Sequence, residues 1–170
     1  MQSQRLLHPV TANIAITTQP TKTTYVEGQS FDPTGMVVTA TYSDGTSGVV
    51  TNYTYSPSGA LATTDTKVTI SYGGKTADVS ITVEEKVVES IAVTTQPTKT
   101  TYTAGETFDP TGMVVTATYN DETTAPVSDY TYSPTAELTT SDDTVTITYE
   151  EKTATVSITV EEAQQNEGQE

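Results

Sequence analysis

The sequence predicts an all-β chain made of two tandem β-sandwich domains without disulfides. Three observations carry this. A long segment is repeated once, apolar residues alternate with polar ones inside each copy, and turn residues interrupt that alternation every few positions. No Cys occurs among the 170 residues, which excludes disulfides and Cys-based zinc sites.

The repeat comes first because it sets the domain count. One copy opens at Asn13 (NIAITTQPTKTTYVEGQSFDPTGMVVTATYSDGT), the other at Ser90 (SIAVTTQPTKTTYTAGETFDPTGMVVTATYNDET). The offset of 77 residues runs without a gap to Glu85 and Glu162, with roughly two-thirds of positions identical. A unit this long can own a core, unlike solenoid repeats of ~20–50 residues. The expected organisation is an N-terminal arm over 1–12, domain 1 over 13–85, a linker over 86–90, domain 2 over 91–162 and a disordered acidic tail over 163–170. Val87 and Val88 make the linker β-prone, and it holds no Gly or Pro. An elongated rod with limited bending is therefore expected.

In domain 1, Ile14 and Ile16 mark a half-buried first strand, which Pro20 breaks at a sheet edge. Gly28 and Asp32–Gly35 are turn signals, and Met36–Tyr42 (MVVTATY) is the strongest strand. Asp44-Gly45 suggests a two-residue type I′ hairpin turn. Val49, Val50, Tyr53 and Tyr55 follow, then a turn at Pro57–Gly59. Val68, Ile70 and Tyr72 alternate toward a core, Gly73-Gly74 closes another hairpin, and Ala77, Val79, Ile81 and Val83 form the last strand. About seven short strands per copy is the pattern of a sandwich. Domain 2 has Asp121-Glu122 and Glu150-Glu151 at the two hairpins. Because Glu is strained at positive φ, looser or differently typed turns are expected there.

The runs Gln19–Tyr25 (QPTKTTY), Gly28–Gly35 (GQSFDPTG), Met36–Thr46 and Val68–Val83 resemble the bacterial immunoglobulin-like domain of group 3. So do Gln96–Tyr102, Gly105–Gly112, Met113–Thr123 and Val145–Val160. The resemblance implies two tandem immunoglobulin-like sandwiches. It supplies no catalytic residue, and it spans surface proteins, adhesins, carbohydrate-active enzymes and phage structural proteins.

Candidate chemistry is sparse. His8 is the only His, without partners for a triad or a metal cluster. Neither a catalytic residue nor a cofactor motif is identified. Glu84, Glu85 and Glu89 are calcium candidates at the domain junction, but no D-x-D-x-D-G loop exists and Glu161-Glu162 repeats the first pair where no third domain follows. Solvated charge is the better reading. Tyr53 with Tyr55, and Tyr130 with Tyr132, are candidates for a carbohydrate-stacking surface against the alternative of core packing. Lys22 and Lys99 invite comparison with isopeptide-forming strand lysines. The last strand offers Asp78 in one copy and Thr155 in the other, which argues against that bond.

The net charge of −15 makes nucleic acid and anionic membrane poor partners. Arg5, Leu6, Leu7, His8, Pro9 and Val10 form a short apolar arm with the only Arg, either a disordered terminus or an anchor that orders on docking. With an initial Met and neither leader nor wall-sorting motif, the expected role is a bacteriophage virion accessory protein: capsid decoration, head fibre or tail-associated. It would be held to capsid or tail proteins by the arm, with a virion-surface location, weak host glycan contact and homo-oligomers within the assembly. The alternative is a spacer or adhesive fragment of a secreted Gram-positive surface protein, on the bacterial cell surface.

Overall fold

Alternation of small β-branched residues shapes every strand of the fold. The computed structural model describes residues 8–164, which hold sixteen strands and no helix. Contacts divide the chain into units 1–86 and 87–170. Unit 1 contains β1 (Thr11–Thr18), β2 (Thr24–Val26), β3 (Val37–Tyr42), β4 (Ser47–Val50), β5 (Thr54–Ser56), β6 (Lys67–Tyr72), β7 (Lys75–Ser80) and β8 (Thr82–Glu84). Unit 2 repeats them as β9 (Val88–Thr95), β10 (Thr101–Thr103), β11 (Val114–Tyr119), β12 (Thr124–Val127), β13 (Thr131–Ser133), β14 (Thr144–Tyr149), β15 (Lys152–Ser157) and β16 (Thr159–Glu161). Strand β1 therefore starts inside the expected arm and β9 inside the expected linker. Of the expected tail, residues 165–170 lie outside the described residues.

Each unit has two antiparallel three-stranded sheets, ordered β1-β3-β4 and β5-β6-β7 in unit 1. A two-stranded parallel ladder, β2 with β8, joins the layers. The unit has eight strands where seven were expected, because the last strand is split at Ile81. Up to Ser80 it pairs with β6, and from Thr82 it pairs with β2. Pro20 does the same at the other end, separating β1 from β2. Between the layers, Val38, Ala40, Val68, Ile70 and Val79 are fully buried. Their repeats Val115, Ala117, Val145, Ile147 and Val156 form the second core. No polar or charged residue is buried among the described residues. The cores thus gain from apolar burial without charge desolvation.

The hairpins correct two expectations. After Tyr42 the turn is not two-residue type I′: the Tyr42 N–H donates to Thr46 O (2.8 Å) and the Gly45 N–H to Tyr42 O (3.0 Å). Only Gly45 takes positive φ there (83°), the pattern of a three-residue loop ending in a bulge. Domain 2 keeps the same turn, with Glu122 at φ 64°. At the other hairpin Gly73 and Gly74 have φ 55° and 74°, and Glu150 and Glu151 follow with 43° and 65°. The turns of domain 2 are therefore strained copies, not different types. Sheet register fixes the turn, and the side chain accommodates it.

Replacing both Glu150 and Glu151 by Gly should stabilise domain 2 by about 1–2 kcal/mol, the relief of left-handed strain less the added chain entropy of Gly. A calorimetric scan of the full chain should show one transition moving up. In domain 1 a Cβ at Gly73 would overlap the Thr11 hydroxyl oxygen, whereas nothing lies within 4 Å at Gly74. Gly73→Ala should therefore lower the other transition more than Gly74→Ala does.

Candidate functional surface

The most extensively repeated motif, QPTKTTY with FDPTG, folds into a clamp. Tyr25 is 1% exposed, and its hydroxyl donates to Lys22 O (2.9 Å) while accepting the Asp32 N–H (3.1 Å). Burial, the largest effect on this phenol, holds its pKa above the ordinary value. The Asp32 carboxylate accepts from the Thr34 N–H (2.9 Å) and hydroxyl (2.6 Å), capping the turn. The Thr21 N–H donates to Thr34 O (2.9 Å), drawing the two crossings of the chain together. Gly35 is needed because its φ is 82° and a Cβ would lie 2.8 Å from Thr21 Cγ2. Tyr102, Lys99, Asp109 and Thr111 repeat this arrangement.

Lys22 and Lys99 belong to the same clamp. Lys22 Nζ donates to Gln29 Oε1 (2.9 Å) and lies 4.9 Å from the Tyr25 ring centroid. Lys99 Nζ forms an ion pair with Glu106 (2.7 Å) and lies 4.8 Å from the Tyr102 ring. Asp78 is engaged by Lys67 (2.7 Å) and the Thr69 hydroxyl (2.7 Å), not by Lys22.

The tyrosine candidates are half-buried and pack against the two cores. Tyr55 meets Phe31 edge-to-face at 5.3 Å, and Tyr132 meets Phe108 at 5.2 Å. Tyr53 and Tyr130 pack on the same clusters. Each of these rings thus packs on a core while remaining part-exposed. Tyr42 and Tyr72 also lean together, with hydroxyls 3.4 Å apart.

Arg5, Leu6 and Leu7 lie outside the described residues. His8, Pro9 and Val10 are exposed. Val10 exchanges bonds with Ser43: its N–H reaches the Ser43 hydroxyl oxygen (3.2 Å) and its carbonyl accepts the Ser43 N–H (2.9 Å). Val87 and Asn120 repeat this tether in domain 2. Val10 is thus a strand extension of the domain, inside the span expected for the arm. Glu84, Glu85 and Glu89 are all exposed, with the first two in unit 1 and Glu89 in unit 2. No group of three or more His, Cys, Asp or Glu side chains arranged to hold a metal occurs among the described residues.

One surface was not anticipated. The outward positions of β14 and β15 are Thr144, Thr146, Thr148, Thr153, Thr155 and Ser157, a face of hydroxyls without charge. Domain 1 carries the Lys67–Asp78 ion pair there. The signal was present in the sequence as Thr144 and Thr155 replacing Lys67 and Asp78.

A family model described as bacterial Ig-like domain (group 3) matches residues 18–83 and 95–160, more than half of the chain. No curated protein matches the sequence.

Two predictions follow from the clamp and its charges. Tyr25→Phe removes the hydroxyl and strands the Asp32 N–H and the Lys22 carbonyl at the edge of the core. A loss of about 1–3 kcal/mol is expected in denaturant unfolding, with Tyr102→Phe doing the same to domain 2. Asp32 and Asp109 titrate below their ordinary range, chiefly through the Thr34 and Thr111 hydroxyls, and Glu106 chiefly through Lys99. A folded-state pKa below the unfolded one stabilises above the unfolded value, so this contribution is present above about pH 4. It is lost as pH falls through the folded values. Thermal midpoints should drop on acidification below about pH 4, and the Asp32→Asn, Asp109→Asn double variant should flatten that limb.

Proposed function

The chain belongs to the bacterial Ig-like domain family (group 3), and from that membership we propose that it serves as a display protein of a bacteriophage virion, carried on the capsid, head fibre or tail. Tandem domains of this family are non-catalytic structural or adhesive modules. The observation that carries the proposal is the division of the molecule. Two acidic sandwiches each complete their own apolar core, and the tether at Val10 marks where the first one ends. The sequence before Val10 is the apolar, Arg-containing stretch suited to docking.

The same domains would serve equally well as a spacer in a Gram-positive surface protein, and the partner distinguishes the two roles. Host glycans, in either setting, are better matched by the hydroxyl face of β14 and β15 than by Tyr53, Tyr55, Tyr130 and Tyr132, whose rings pack inward. Hydroxyl-to-hydroxyl contacts of this kind would be weak, because each replaces a bond to water.

Deleting residues 1–9 leaves β1 and the Val10–Ser43 tether intact. The shortened chain should unfold at the same temperature as the full one yet fail to co-purify with assembled phage particles. Undiminished particle association would sink the proposal, as would association of the full chain with cell-wall preparations alone.

A further inference from the structure

We propose that the β4 edge of domain 1 is a pairing site for the β4 edge of a second copy of this chain, joining two sheets antiparallel across a two-fold axis. The proposal is independent of whether the chain is displayed on a virion. It starts from the strand edges. Strands β1 and β7 lie against each other and close one side of the sandwich. The sheet orders leave β4 and β5 at the other side of domain 1, and β12 and β13 at that of domain 2. Strands β5 and β13 are three residues long and run into Pro57 and Pro134. Short edges that end in proline are poor templates for a further strand.

Strands β4 and β12 differ from each other at one decisive position. The Tyr42–Thr46 hydrogen bond sets the phase of the β3–β4 ladder. Alternate residue pairs exchange bonds in an antiparallel ladder, so Gly48 and Val50 direct their backbone groups to β3. Ser47 and Val49 direct theirs to the open edge. In domain 2 the residue aligned with Val49 is Pro126, opposite Thr116 as Val49 is opposite Thr39. Domain 2 therefore lacks the outward N–H, whereas domain 1 keeps it beside a Val49 side chain that is 66% exposed.

Charge and symmetry select a second copy as the occupant. Strand β4 (SGVV) carries no charge, nor do the outward residues Asn13, Ala15, Thr17, Thr39 and Thr41 of its sheet. With Gly48 opposite Gly48, the Val49 N–H of each chain meets the Ser47 carbonyl of the other. The nearest carboxylate along the chain, Asp44, sits four residues from Gly48. In an antiparallel pair the two Asp44 side chains are then on the order of 25 Å apart, beyond the Debye length of about 8 Å at physiological salt. Because β12 lacks the matching donor and β5 and β13 are short and end in proline, association through β4 closes at a dimer. Two open edges would propagate from chain to chain into a fibre, and Pro126 prevents that.

Sedimentation of the full chain at millimolar concentration tests this. The weight-average mass should rise toward that of a dimer, and rise further with added salt as the net charge of −15 is screened. Val49→Pro should remain monomeric, and Pro126→Val should form species larger than a dimer. Domain 2 already accommodates proline at this position, so Val49→Pro is expected to fold. Amide exchange provides a second readout on the unaltered chain, with Ser47 and Val49 becoming protected as concentration increases. A chain that stays monomeric in salt overturns the proposal. So do association undiminished by Val49→Pro and association without protection at Val49.

Discussion

A single buried hydroxyl in each domain, on Tyr25 and on Tyr102, ties together the parts of the fold that sheets alone leave loose. The chain crosses between layers twice near the start of each domain, once at QPTKTT and once at FDPTG. The Tyr25 ring is packed on Phe31, 6.2 Å away between centroids, while its hydroxyl binds one crossing at Lys22 and the other at Asp32. An apolar ring with a polar tip suits a site where core and loop backbone meet. Without Cys, this arrangement takes the place a covalent staple could occupy. It also accounts for much of the sequence identity between the copies, because Thr21, Thr34 and Gly35 are each fixed by a bond or a close approach.

Against that shared frame, the differences between the copies are concentrated at the surface. Gln29 becomes Glu106 and turns a neutral hydrogen bond to lysine into an ion pair. Gly73 and Gly74 become Glu150 and Glu151, which keep the turn at the cost of backbone strain. Lys67 and Asp78 become Thr144 and Thr155, clearing charge from one sheet face. Val49 becomes Pro126, removing a donor from one edge. The two domains share most of their interior and differ mainly at their outer surfaces, an arrangement suited to dividing contacts between them.

This division is consistent with a non-catalytic module whose function lies in what its faces touch. Asp32, Asp44 and Asp78, whose titration is lowered, are exposed turn and strand residues held by neighbouring hydroxyls, amides or lysines. Their role is to cap turns and pair with lysine.

The sequence alone determined the duplication, the all-β class and the inward residues, because alternation along a strand is a local property. Val38, Ala40, Val68, Ile70 and Val79 are legible from their period of two without knowledge of any partner. The tertiary structure decided what depends on pairing. It split the last strand at Ile81 between two neighbours, chose a three-residue loop after Tyr42, and held Glu122, Glu150 and Glu151 at positive φ against their own preference. It also placed Tyr55 and Tyr132 on phenylalanines and set which backbone groups of β4 face outward. Hydrogen-bond phase and ring contacts arise between residues distant in the chain, so no local pattern encodes them.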